Sequence, residues 1–549
     1  MNGGFPIVLT ADRTLMSSYF GGMFLGFSSC VPAGFIPSPL YYKIFSPPVR
    51  VDGRGAAVFA PYGTRKIESA LLEYGFNEED VIITSPERLR RVIGPNTKVV
   101  GITETDPLGI GPATTTFRGL FGGLPLMAWE FLRTLLKIRL SGFKPKIFVG
   151  GPGAWQLENQ EIRRMLGISC VVIGEGDTAV PPLIEKAFRG EKVPEVVYTD
   201  PVLLEDIPLI RRPSVCGLVE IARGCGRGCK FCTPTLKLFR CLPVDYILKE
   251  VEVNLRSGSH DILLHAEDVL RYKAKGFNIN KEAVTSLFQA VKNFPGVEFV
   301  EISHFALSSV AAAPQLVEEI SDILDLDAKN WLSGQTGIET GSPKMAKQHM
   351  YGKCKPFSYE EWPDVVVQAF EVLSENCWVP VSTLILGLPQ ETEEDVWDTI
   401  YLVRMLRNFK SLIVPLFFVA MGSLGEEKSF TLSGMKPAHV ELLFECWEHN
   451  FKWLPALVRE YRGVKSLTRR RILSLITWFA SLFARQIMHL CREDYGNNIQ
   501  KFISDYETGK VRKGILRFTK FYDRILKTVT RTQNKIARPY LKFEEFWDI

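Results

Sequence analysis

The sequence is short of several things that would have placed it quickly. No uninterrupted apolar run reaches the roughly 20 residues a membrane-spanning helix needs. The first residues, MNGGFPIVLTADR, lack a charged stretch followed by an apolar one, so no signal peptide is expected and the chain reads as cytoplasmic. A net charge of +5 is small for 549 residues and gives no ground for a nucleic-acid partner, which usually needs a concentrated basic face. There is no solenoid-type repeat and no low-complexity segment. Most of the 11 cysteines stand alone, unlike a secreted disulfide framework. What is present is globular: 46% hydrophobic residues against 23% charged supply ample core, and the length calls for two to four domains.

Through the first 200 residues, short β-rich runs alternate with helical stretches. Candidate strands are Ile7–Ala11, Ala56–Ala60, Asp80–Thr84, Lys98–Thr103, Lys146–Gly151 and Ser169–Gly176. Their near-continuous apolar character suits a parallel sheet covered on both faces. Between them Arg65–Phe76 and Glu158–Ile168 carry helical periodicity and include a glycine near the end. This alternation predicts an α/β, Rossmann-like domain over residues 1–200. The Gly- and Pro-rich aromatic stretch Gly21–Pro48 reads as a loop or cap. Three glycine-bearing loops follow strand ends: Asp106–Pro112, Gly150–Trp155 and Gly174–Asp177. Ligands of open α/β sheets bind at the carboxyl ends of strands. Asp106, Gly109, Gly150, Gly151, Gly174 and Glu175 are therefore candidate cofactor contacts, against the plainer reading of tight turns.

A linker near Asp200–Pro213 leads to a second alternating unit, residues 201–425. Its strand-plus-loop signals are VEIARG, DILLHAED, FVEISH, GQTGIET and VSTLILGLP. The pattern predicts a partial (β/α) barrel with its chemistry at the strand carboxyl ends. Residues 426–549 read as a helical C-terminal region whose last stretch, Lys501–Lys542, is basic. Within it the apolar run Ile472–Ala484 follows Arg469-Arg470-Arg471. It is too short to span a bilayer, and suits a core helix or one lying in a membrane interface, the core being the plainer reading.

After the strand VEIAR comes GCGRGCKFC, which spaces Cys225, Cys229 and Cys232 as C-x3-C-x2-C. Three thiolates on one loop can hold three irons of a [4Fe-4S] cubane and leave the fourth open. A structural zinc would want a fourth ligand in paired spacing; Cys216 and Cys241 flank the loop, but no second CxxC or HxxxH exists.

At this point the sequence resembles the radical S-adenosylmethionine (SAM) superfamily. The resemblance implies that SAM chelates the open iron and is cleaved to a radical that abstracts hydrogen from an unactivated carbon, with an external electron donor. It also implies roles for further residues. Phe231 would lie against the adenine. Glu267 and Asp268 in LLHAED would meet the SAM amino group, a partial match. Glu339 in GIETGS would be a polar contact near the ribose and carboxylate, and Gly387 and Glu391 in ILGLPQET would support the adenine. His265 and His304 follow barrel strands and could touch substrate or simply satisfy loop hydrogen bonds.

Residues 5–425 further resemble the cobalamin-binding (B12-binding) class of these enzymes, through PYGTRKIESALLEYGF, the GGPGAW loop and the VVIGEGD loop. One departure from the class matters: there is no DxHxxG motif, so no histidine is available to ligate cobalt from below, as is often so among its members. The resemblance implies a cobalamin-dependent C-methyltransferase of archaeal type. Two substrates come with it: a protein side chain, such as the glutamine of methyl-coenzyme M reductase, and a tetraether membrane lipid undergoing ring formation. A cobalamin sensor without catalysis is a further alternative, disfavoured by the complete cysteine and SAM-motif set. The apolar run and basic tail would suit peripheral association with an anionic membrane.

Overall fold

A computed structural model describes residues 3–21, 23–233, 238–461 and 466–507. The described chain falls into two compact units that divide between Val215 and Cys216.

The first unit is a six-stranded, all-parallel sheet. Its strands are β1 Ile7–Ala11, β2 Val81–Ile83, β3 Val99–Thr103, β4 Lys146–Gly150, β5 Cys170–Ile173 and β6 Val196–Tyr198, in the order β2-β1-β3-β4-β5-β6. Alternate residues of each strand feed different cores, as the two-residue period requires. Val8, Ile82, Val100, Ile147 and Val171 pack against helices Leu126–Arg139 and Gln160–Leu166. Ile7, Leu9, Val81, Phe148 and Val172 pack against helices Tyr62–Tyr74 and Val180–Phe188. The sheet is therefore doubly wound, with the chain reversing direction between β1 and β3. Helix Tyr62–Tyr74 stops at Gly75 (φ 117°), and helix Gln160–Leu166 starts on the Asn159 side chain and stops at Gly167 (φ 68°).

Two expectations need correction here. Ala56–Ala60 is not a strand: its backbone makes isolated bridges at Ala57 to Val51 and Ala60 to Ser214. The Ala57 N–H donates to the Ile83 carbonyl at the end of β2, and the buried Arg65 guanidinium caps the carbonyls of Ala57, Val58 and Pro213, so a side chain takes up the acceptors that a strand ladder would use. The stretch after β1 is also more ordered than a loop, with a short helix at Ser38–Ile44 packed on Leu126 and Trp129 through Tyr41.

The second unit opens with β7 Leu218–Glu220, and a two-residue antiparallel hairpin follows, β8 Ala222–Arg223 with β9 Arg240–Cys241. The barrel strands continue as β10 Asp261–His265, β11 Phe299–Ile302, β12 Leu332–Glu339, β13 Trp378–Leu386 and β14 Leu412–Phe417. Parallel pairing runs β7-β10-β11 and β12-β13-β14. The halves meet at a parallel bridge between His304 and Gln335, where Phe305 N–H donates to the Gln335 carbonyl at 3.0 Å. Six parallel strands in this order make a partial β/α barrel. Helices Pro437–Glu460 and Leu467–Tyr495 follow within the same unit, which ends at Asp505 in the last described helix, Ile499–Glu507. The basic tail beyond residue 507 lies outside the described residues.

Candidate functional site

The cysteine loop is closed at its base by the β8–β9 hairpin, which Gly224 leaves directly after Arg223 and Phe239 re-enters before Arg240. Gly224, Gly226 and Gly228 all take positive φ (67° to 75°), a winding that alternating side chains with a Cβ would resist. Cys229 is buried, while Cys225 and Cys232 are half-buried. The Cys232 N–H donates to the Cys229 carbonyl at 3.3 Å, a turn between the last two thiols.

The loop is pinned from several sides. Arg227 is 5% exposed, and its guanidinium donates to Asp268 Oδ2 at 2.7 Å, Ser309 Oγ at 2.8 Å and Ser308 Oγ at 3.1 Å. Arg271 donates to the Cys225 carbonyl at 2.7 Å. The Lys230 N–H donates to the His349 carbonyl, and its own carbonyl accepts from Ser423 N–H, both at 2.9 Å. Two glycines let other backbone come close. A Cβ on Gly352 would stand 1.8 Å from the Arg227 carbonyl, and one on Gly422 would stand 2.8 Å from the Lys230 carbonyl and 2.9 Å from that of Cys232. Of these pinning residues only Asp268 was singled out from the sequence, and for another role. Most of the others sit far along the chain, and a lone Gly or Arg carries no local signature.

Burial pushes the Cys225 thiol up, and that of Cys229 up to about 11, with Arg227 and Lys353 pulling the other way. Burial alone would lower the Lys353 ammonium, but Glu339 and the thiols of Cys229 and Cys232 keep it raised. Lys353 bonds Glu339 directly, and Thr383 Oγ1 donates to the second Glu339 oxygen at 3.2 Å. Glu339 reaches this position with φ at 62°. Among the described residues no three His, Cys, Asp or Glu side chains converge as ligands of a single metal ion. A cubane binds its thiolates on three different irons, so it wants them around a common space and farther apart than the ligands of one ion. One buried and two half-buried thiols on one loop, with two cations beside them, are a donor set suited to such an anionic thiolate cluster.

The other barrel residues named above lie at or just past strand carboxyl ends. Phe231 joins an apolar group with Met345, Leu388 and Phe418. Asp268 is occupied by Arg227 and Ser309, its Oδ1 remaining without a hydrogen bond. Glu267, one residue before, is less buried. Glu391 accepts from Gly387 N–H at 2.8 Å and pairs with His439 at 3.0 Å, tying the β13 loop to helix Pro437–Glu460. The Phe430 ring covers Gly387, where a Cβ would stand 2.1 Å from it. His265 Nδ1 meets Ser303 Oγ at 2.9 Å, and His304 lies edge-on to it at 5.8 Å between ring centroids. Burial lowers the His304 pKa, and its Nδ1 has no hydrogen-bond partner.

In the first unit the three glycine loops do share the carboxyl edge of the sheet. Much of their chemistry is internal, however. Asp106 accepts from Ile110 N–H, Gly111 N–H and Gln156 Nε2 at 2.7 to 3.1 Å, and from Thr114. Glu175 accepts from Val202 N–H at 3.1 Å. A Cβ on Gly109, Gly151 or Gly174 would meet Pro125, the Glu104 carbonyl and the Thr199 carbonyl respectively, whereas Gly150 has room. Sequence reading missed the most unusual pair at this edge. Asp12 after β1 and Glu104 after β3 are both fully buried at the point where the winding reverses. Burial raises Asp12 to about 6 and Glu104 well above its ordinary value. Asp12 and Glu104 hydrogen-bond to each other, a contact that needs one of the two carboxyls to carry a proton. Room at Gly150 would let a polar cofactor carrying amide groups approach the loop backbone at this edge.

Residues 219–403 match the radical SAM superfamily, which makes the barrel a radical SAM domain. The chain is 31% identical over 206 residues to the ribosomal protein uS12 methylthiotransferase RimO of Thermotoga maritima, 37% of this chain and 43% of that protein. It is 26% identical over 323 residues to uncharacterized protein MJ1620 of Methanocaldococcus jannaschii, 48% and 61% of the two chains. It spans about half the length of such curated relatives. Its fold matches the radical SAM methyltransferase TsrM of Kitasatospora setae, solved with cobalamin and a [4Fe-4S] cluster bound. The TM-score is 0.50 at 14% identity, over 77% of this chain and 74% of that one.

Proposed function

We propose that this protein is a cobalamin-dependent radical SAM enzyme that methylates an unactivated carbon, with Cys225, Cys229 and Cys232 as the cluster ligands. The observation that carries the reading is the cysteine loop: three thiols close in sequence on one loop, pinned by Arg227 and Arg271 within a barrel that matches the superfamily. When bound, a [4Fe-4S] cluster with an open iron would supply reductive SAM cleavage, and a corrinoid a transferable methyl group.

The chain's own residues do the positioning. Arg227 and Arg271 hold the loop backbone, so the thiols are presented as a set. Lys353 keeps positive charge beside Cys229 and Cys232, and Glu339 holds Lys353 in place. Phe231 and its apolar neighbours keep water from one side of the loop. Glu267 is the better placed of the two acidic residues to meet the SAM amino group, since Asp268 is engaged. The cobalamin assignment rests on the doubly wound first unit and the fold it shares with a cobalamin-bound methyltransferase.

A protein side chain, such as a glutamine of methyl-coenzyme M reductase, is the preferred substrate, because methyl transfer is the common outcome for this cofactor pair. Ring formation in a tetraether lipid is the second reading, favoured by an exposed apolar helix face in the second unit. The test is anaerobic reconstitution with iron, sulfide and cobalamin, then turnover with methyl-labelled SAM and mass spectrometry of candidate peptides and lipids. Label in a peptide carbon supports the proposal. Unlabelled lipid rings would replace it with the second reading, and no corrinoid retained after supplementation would remove cobalamin from it.

A further inference from the structure

Helix Leu467–Tyr495 is built inside out along its first half. The side turned toward the rest of the unit carries Leu473, Thr477, Ser481, Ala484, Met488 and Cys491, all buried. Two of these are hydroxyls that donate back to their own helix, Thr477 to the Leu473 carbonyl and Ser481 to the Thr477 carbonyl, both at 2.7 Å. The bulky apolar residues face outward instead: Ile472, Leu475, Trp478, Phe479 and Leu482 are 38 to 55% exposed. A surface helix normally does the reverse, with its large apolar residues on the packed stripe. The sequence-based preference for a core helix over Ile472–Ala484 is therefore wrong. Most of the run's large residues are exposed, Leu473 being the buried exception, and the small and hydroxyl residues Thr477, Ser481 and Ala484 take the packed side.

Together these side chains make a contiguous patch on the order of 400 Å², the size at which an exposed apolar surface marks an interaction site. Charge indicates the partner. Arg470 and Arg471 stand at one end of the stripe and Arg485 beyond the other. The following segment, residues 510–542, holds 11 lysines and arginines against a single acidic residue, Asp523. Apolar residues at helical spacing bracketed by cations are what an anionic bilayer surface binds.

Arg470–Tyr495 is long and apolar enough by length and composition to cross a membrane, yet the exposed apolar stripe covers only Ile472 to Leu482. Ten steps of about 1.5 Å give about 15 Å, half of a hydrocarbon core. Further along, Arg492 is tied to Glu441 and Glu448 of helix Pro437–Glu460, which holds the far half on the protein. The helix can therefore lie in the interface but has no free length to span it.

We infer that this face docks the enzyme on anionic lipid bilayers, with Trp478 and Phe479 inserted at the level of the headgroups. The inference stands independently of the methylation reading. The test is flotation of the full-length protein with vesicles of phosphatidylglycerol and phosphatidylcholine, alongside pure phosphatidylcholine, in low and high salt. Binding is expected only to the anionic vesicles and should fall at least tenfold between 50 and 500 mM salt. The double variant Trp478→Glu/Phe479→Glu should lose at least tenfold in bound fraction while keeping its helical circular dichroism. Wild-type tryptophan fluorescence should be quenched by bromine-labelled acyl chains. Trp478→Phe should still float but lose most of that quenching, a readout that does not depend on the disruptive variant. No flotation on anionic vesicles, or flotation unchanged in the double variant, would overturn the inference. So would a self-association abolished by the double variant without any vesicle binding, which would give the face to a second copy of the chain.

Discussion

Replacing Arg227 with methionine should unfasten the cysteine loop and cost about 3–5 kcal/mol of the second unit's stability. The guanidinium is nine-tenths buried or more, and its strongest bonds are to Asp268 at 2.7 Å and Ser309 at 2.8 Å. Methionine fills similar volume, so the loss is electrostatic. Removing one partner of a buried ion pair strands the other, which costs about 3–5 kcal/mol. Asp268 is the group stranded, and its Oδ1 already lacks a partner. With a urea m-value of about 3 kcal/mol/M for a unit of this size, the midpoint should move down by about 1 M or more. The two units need separate probes, because their transitions are not one two-state process. Iron bound after reconstitution should fall in parallel, since the same side chain positions the backbone between Cys225 and Cys229. Adding Asp268→Leu removes the stranded carboxylate and should recover more than half of the lost stability, but not the iron. A single variant within 1 kcal/mol of wild type, or a double variant no better than the single, would refute the stranded-charge argument.

Gly422→Ala and Gly352→Ala should each lower iron content per chain and leave the first unit's unfolding unchanged, because their added methyl groups would meet the Lys230, Cys232 or Arg227 backbone. Iron and sulfide assays beside urea melts of both units decide it. Asp12 gives a pH prediction. Its folded pKa of about 6 lies above the ordinary 3.8, so the folded state holds the extra proton between those values. Its contribution to stability is fully present below pH 3.8 and is lost as pH rises through 6, about 3 kcal/mol over the 2.2-unit gap. Asp12→Asn should thus raise the first unit's stability by about 1–3 kcal/mol at pH 8 and change it little at pH 4, read from urea midpoints at the two pH values.

The fold was legible where the pattern was local. Continuous apolar runs at β1, β3, β4 and β5 announced a buried parallel sheet, and their strand ends gave the loop edge. AAVFA at Ala56–Ala60 carried the same pattern but forms no ladder: Ala57 makes one bond to the end of β2, and Arg65, a side chain from the next helix, takes the carbonyls of Ala57 and Val58. The short β6 and the helix Leu126–Arg139 left too weak a periodic signal to be named. At the site, the cysteine spacing was readable because its ligands are local in sequence. Lys353, Gly352, Gly422 and Arg271 were not, since they reach the loop only through the barrel's closure. Helix Leu467–Tyr495 defeated composition altogether, because hydrophobicity alone does not say which face is packed.

The central claim is that Cys225, Cys229 and Cys232 hold a [4Fe-4S] cluster with an open iron for SAM. It is tested most directly by electron paramagnetic resonance of the anaerobically reconstituted, dithionite-reduced full-length protein, with and without SAM. The account predicts about four irons per chain, a reduced-cluster signal that changes on adding SAM, and loss of both in the triple variant Cys225→Ala/Cys229→Ala/Cys232→Ala. A cluster that persists in that variant, or one whose signal SAM leaves unchanged, would contradict it.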